Sequence, residues 1–199
     1  MISALPNDLQ LDALREIANI GCGNAANALS RLMGGREVRI DVPDVMAANV
    51  DDVVVRFGES KPVFCISLAI EGDVTGQMVL VFSDHDADVL AKLLCGPRTG
   101  ASVVDAVSAL AEVGNIVASA CLSAIGNLTR LRLLPSVPHL LSGNARGVVA
   151  ELVGVTRGTA RAVVIEARFT ASNAPGFSGR FFVAPDAATM PRLFRALGL

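Results

Sequence analysis

Residues 14–30 read LREIANIGCGNAANALS, and residues 110–126 read LAEVGNIVASACLSAIG. Glu16 and Asn19 stand 96 positions before Glu112 and Asn115, inside otherwise apolar stretches. At about 100° per residue both stretches are two-faced helices. In the first, Leu14, Ile17, Ala18, Gly21, Ala25, Ala28, Leu29 and Leu32 share one side, and Asp12, Glu16, Asn19, Gly23 and Asn27 the other. In the second, Leu110, Val113, Val117, Cys121, Ala124 and Leu128 face one way, and Ser108, Glu112, Asn115, Ser119 and Ser123 the opposite way.

The likeness extends beyond the helices. DVPDV around Pro43 answers SVPHL around Pro138, and the stretch from Gly76 (GQMVLVFSDHDADVLAKLLCG) answers that from Gly179 (GRFFVAPDAATMPRLFRALGL). Between these landmarks lie runs rich in Val, Ile and Phe: DVVVRF, PVFCISLAI and GQMVLVF, then GVVAELVGV, ARAVVIEARF and GRFFVA. Their composition and partial alternation read as strands joined by Gly-, Pro- and Asp-containing turns. Each half is therefore a long helix, a short strand ending in Pro, about three further strands and a closing helix. Half a sheet leaves an open edge, so the two halves are expected to join edge to edge. The expected fold is α/β of the α+β type, internally duplicated with a pseudo-twofold axis. It has one continuous, largely antiparallel sheet covered by two long helices and shorter ones. The expected domain is a single one spanning 1–199, with repeats of about 1–99 and 100–199 joined near GPRTGAS from Gly96.

A chain of 199 residues that is 52% hydrophobic has the material for a sizeable core. Its net charge of −2, with 17 Lys and Arg thinly spread, provides no basic stripe and argues against nucleic acid. Cys22, Cys65, Cys95 and Cys121 form no C-x-x-C pair and read as buried core residues of a reducing cytosol. His85 and His139 are solitary, so no metal site is expected. The twenty residues from Ala106 carry a single charge, yet their polar stripe favours a buried helix over a membrane span. The N-terminus lacks the pattern of a secretory signal, which places the chain in the cytoplasm.

Asn is a mediocre helix former, so two placed identically ask for a reason. Gly23 and Ser119, one turn along, leave room for an approaching surface. A carboxamide offers donors and an acceptor without ionising, so it can hold a water in line for attack. Phosphoryl transfer is the reaction class in which orienting a water is a large part of catalysis. Glu three residues earlier supplies a carboxylate for a partner's Lys or Arg. A solvated polar face is the bland alternative for either motif alone; recurrence in register favours function.

At these residues the sequence resembles the CheC family of chemotaxis phosphatases, which includes CheC, CheX and FliY. The family pattern is Asp or Ser, three residues, Glu, two residues, Asn, then about twenty-two residues to Pro. It is matched by Asp12, Glu16, Asn19 and Pro43, with one extra residue before the proline, and by Ser108, Glu112, Asn115 and Pro138. Two motifs in one chain resemble the CheC branch. The resemblance implies hydrolysis of the aspartyl phosphate on a CheY-type response regulator, with Asn19 and Asn115 orienting the water. Glu16 and Glu112 would pair with the regulator's active-site Lys. Asp12, Gly23, Ser108 and Ser119 would contact the partner. Mg²⁺ and the phosphorylated Asp would belong to the regulator, leaving this chain without a cofactor of its own. The deamidase CheD is a further partner the resemblance implies. The alternative is a binding or adaptor module without catalysis. Duplication within one chain removes the usual need for a dimer, so a monomer is expected.

Overall fold

The structure, a computed structural model, describes residues 6–41, 43–48, 52, 55, 62–95, 103–144, 147, 162–171 and 176–199. Among the described residues, the elements with full bounds are four helices and eight strands, in the order α1 (Asp8–Leu32), β1 (Val38–Ile40), β2 (Asp44–Ala48), β3 (Pro62–Gly72), β4 (Gly76–Ser83) and α2 (Asp84–Cys95). The second half continues with α3 (Val103–Thr129), β5 (Leu133–Pro135), β6 (His139–Asn144), β7 (Ala162–Ala171), β8 (Phe177–Pro185) and α4 (Met190–Ala196).

All described strand pairs are antiparallel, in the order β1–β7–β8–β4–β3–β5, with β2 also on β7 and β6 also on β3. The halves meet at the centre through β4 and β8. Val79 pairs with Phe182, its own counterpart in the alignment of Gly76 with Gly179, so the pseudo-twofold axis passes between them. The outer registers obey the same symmetry. Val38 on Ala171 and Asp44 on Glu166 recur as Leu133 on Gly72 and His139 on Ser67.

That arrangement exchanges strands between repeats, which simple edge-to-edge joining does not include. The short strands after α1 pair with the second half's β7, and those after α3 pair with the first half's β3. Pro43 and Pro138 each fall between two edge strands rather than at the end of one. A residue without an N–H interrupts the ladder and is tolerated at an edge. Within the stretch read as strand at 52–57, Asp52 and Val55 are helical; its other residues, residues 148–155 of the run read as GVVAELVGV, and all of GPRTGAS lie outside the described residues.

One apolar core fills the space between the sheet and the helices, with Leu14, Ile66, Leu68, Met78, Leu80 and Leu90 fully buried. The helix α3 is long and apolar enough to cross a membrane by length and composition. Here its inner stripe, Leu110, Val113, Val117, Cys121 and Ile125, lies in that core. Leu128 departs from the expected stripe at 50% exposure; buried Thr129 ends the helix instead, its hydroxyl donating to the Ile125 carbonyl at 2.8 Å.

Candidate functional site

The helix α1 starts where its sequence can satisfy its first N–H groups. Asn7 Oδ1 accepts from the Gln10 N–H at 2.9 Å, and Gln10 Oε1 accepts from the Asn7 N–H at 3.1 Å. This reciprocal cap fixes the start of the helix a turn or two before the motif. At the other end Gly35 N–H donates to Ser30 O and Gly34 N–H to Arg31 O, the paired bonds of a glycine-terminated helix.

The helices α1 and α3 pack antiparallel. One cavity of ≈ 40 Å³ brings Leu14, Ile17 and Ala18 against Cys121, Leu122 and Ile125, and a second brings Ala25, Ala26 and Leu29 against Val117. Their approach is close because a Cβ on Gly21 would lie 2.8 Å from Cys121 Sγ and 3.0 Å from Ile125 Cδ1. Gly114, the residue before Asn115, does the same against the sheet: its Cβ would lie 2.4 Å from Ile66 Cγ2. Both motif helices are thus fixed from behind.

On the outer faces Asp12, Glu16, Asn19, Ser108, Glu112 and Asn115 are all exposed, while Gly23 and Ser119 are half-buried. Within each motif Glu and Asn, three apart on a helix, lie side by side about 5–6 Å between Cβ atoms. Asp12 is engaged by Arg15, one Nη1–Oδ1 ion pair at 2.5 Å, a surface contact worth a few tenths of a kcal/mol. Ala111 occupies the position of Arg15 in the second repeat, so this pair is peculiar to the first site. A Cβ on Gly23 would meet nothing within 4 Å, leaving open space above the first motif.

The structure does not merge the two Glu–Asn pairs. The helix contacts place the local symmetry axis near Gly23 and Ser119, with Asn19 on one side and Asn115 on the other. Their offset along the helices is ~12 Å and across them ~9 Å, so the sites stand roughly 15 Å apart. By the same register Ser123 comes about level with Asn19, and Asn27 with Asn115; both are exposed.

Sequence reading missed one contact. Cys22 and Cys121, each 1% exposed, meet across the helix pair. The Cys22 hydrogen bond and then burial push the Cys121 thiol up. Cys65 sits alone in the sheet, and burial raises it from 9.0 to about 12. Cys22, Cys65 and Cys121 are core thiols, as their apolar neighbours suggested, whereas Cys95, the last residue of α2, departs from that expectation and is half-buried. Among the described residues no group of three or more His, Cys, Asp or Glu could hold a metal ion.

Comparison with known proteins finds relatives of this sequence and fold. The model of the CheC-like family matches residues 9–47, the stretch running from α1 to β2. The CheY-P phosphatase CheC of Bacillus subtilis (strain 168) is 33% identical over 198 residues, covering 95% of this chain and 94% of its own. Among solved structures, Thermotoga maritima FliY superposes with a TM-score of 0.77 at 22% identity, covering 97% of this chain and 98% of its own. The FliM middle domain of H. pylori shares the fold at a TM-score of 0.66 and 12% identity, over 96% and 99%. With its duplicated Glu–Asn helices and near full-length similarity to a curated relative, the chain belongs to the CheC-like family.

Proposed function

We propose that this protein is a chemotaxis phosphatase that removes the phosphoryl group from the aspartate of a CheY-type response regulator in the cytosol. The observation that carries the reading is the pair of exposed Glu–Asn couples, each on the outer face of a long helix whose inner face is locked in the core. The 33% identity to a CheY-P phosphatase supports it. A rigid backing matters because orienting a water demands a side chain held to within a fraction of an ångström. Asn19 or Asn115 enters the regulator's site and hydrogen-bonds the attacking water. Glu16 or Glu112 pairs with the regulator's Lys and sets the docking angle. The regulator brings its own Mg²⁺ and phosphorylated Asp, and this chain acts without a cofactor. Asp12, Gly23, Ser108 and Ser119 border the contact. The same reading takes residues 1–199 as one domain, since each half lends its short strands to the other.

A second reading is favoured by the fold shared with the FliM middle domain: a module that binds a phosphorylated regulator, a flagellar switch component or CheD without catalysis. Decay of a phosphorylated CheY-type regulator separates the two. A phosphatase returns the regulator to its resting state faster than its own decay, whereas a sequestering module prolongs the phosphorylated state. Prolonged decay, or no effect on any cognate regulator, would reject the phosphatase.

A further inference from the structure

We infer that the two Glu–Asn sites form one shared docking surface, which admits a single regulator at a time; this rests on the proposed function. The argument is one of area. A standard interface covers about 800 Å² on each partner, a disc of ~16 Å radius. Centred on Asn19, such a disc reaches Asn115, because the two are only roughly 15 Å apart on adjacent antiparallel helices. It also covers Gly23 and Ser119, which lie between the sites near the local axis. The sites share a face and not merely a helix pair: α1 and α3 both bury their opposite sides in the same core. A partner that inserts its phosphoryl group at one site therefore covers the other. Duplication then offers two equivalent ways to dock and does not double the number bound. The chance of productive encounter rises about twofold while the occupancy stays at one.

The test is the stoichiometry of the complex with a CheY-type regulator held in its activated form by Mg²⁺ and beryllofluoride, measured by sedimentation velocity with the regulator in excess. The comparison set is the wild type, Glu16→Arg and Glu112→Arg, each charge reversal repelling the regulator's Lys at one site. Decay of the phosphorylated regulator is followed with the same preparations. The expected result is a 1:1 complex for all three proteins, with binding weakened about twofold in each variant. A 2:1 complex for the wild type, falling to 1:1 in each variant while accelerated decay persists, would overturn the shared surface and leave the phosphatase standing. A 1:1 complex lost in one variant and untouched in the other would also overturn it, by showing one site inert. Absence of both complex and acceleration would overturn the proposed function and this inference together.

Discussion

Substituting Gly114 by Ala adds one methyl group where α3 rests on the sheet. In an open helix position that change stabilises by about 1 kcal/mol, the difference in helix propensity. Here the new Cβ would stand 2.4 Å from Ile66 Cγ2 and 3.4 Å from its Cβ. Ile66 is fully buried on β3 and branched at the atom concerned, so it has little freedom to yield. Overpacking of this kind costs about 1–3 kcal/mol, which offsets the propensity gain and leaves a net loss of roughly 1 kcal/mol. Gly23→Ala is the internal control, because its methyl meets nothing within 4 Å and keeps the full gain. Thermal unfolding should place the two variants on opposite sides of the wild type, separated by roughly 4–8 °C for a chain of this size. Ile66→Leu moves the branch away from the contact, so in the double variant the cost of Gly114→Ala should shrink by about 0.5 kcal/mol or more. Equal shifts for Gly114→Ala and Gly23→Ala, or full additivity with Ile66→Leu, would refute the claim that this glycine seats the Asn115 helix on the sheet.

Two further outcomes follow from backbone and protonation. Arg130 has φ 58°, at the position answering Gly34 with φ 71°; relief of left-handed strain should make Arg130→Gly about 1 kcal/mol more stable, read as a rise of roughly 2–4 °C in Tm. Cys65 and Cys121 stay protonated in the fold where unfolded thiols ionise, so the unfolded state loses protons first as pH rises. Their contribution is intact below about pH 9 and falls above it by about 1.4 kcal/mol per pH unit per thiol, up to about pH 12 for Cys65. The chain has no Tyr and only two Lys, Lys61 and Lys92, so urea midpoints at pH 8 and pH 10 report mainly on thiols. Cys65→Ala should flatten that dependence, and an unchanged slope would contradict it.

The helices were legible because their apolar positions repeat at the helical period while Glu and Asn interrupt the other side, and the long strands because β-branched runs end at Gly, Pro and Asp. The exchange of edge strands was not legible. Pairing partners are chosen by tertiary proximity, and nothing local to VRI or LLP names the opposite repeat as their neighbour. Asp52 and Val55, read as strand, are helical, since strand preference depends on the surface available to pack against. Glu166 shows the same limit: composition marks ARAVVIEARF as a strand without saying which positions are covered, and this carboxylate is 4% exposed, 3.8 Å from Arg180 on the neighbouring strand. Of the candidate site, exposure of both Glu–Asn couples was readable from the stripes. The meeting of Cys22 with Cys121 and the spacing between the two sites depend on helix–helix register, which Gly21 permits and no single stretch encodes.

The most direct test of the central claim is the decay rate of a phosphorylated CheY-type regulator in the presence of the Asn19→Ala, Asn115→Ala double variant. Both side chains are exposed, so circular dichroism and Tm should match the wild type. The account predicts acceleration by the wild type and decay at the regulator's own rate with the double variant. Acceleration that survives in a folded double variant would contradict it.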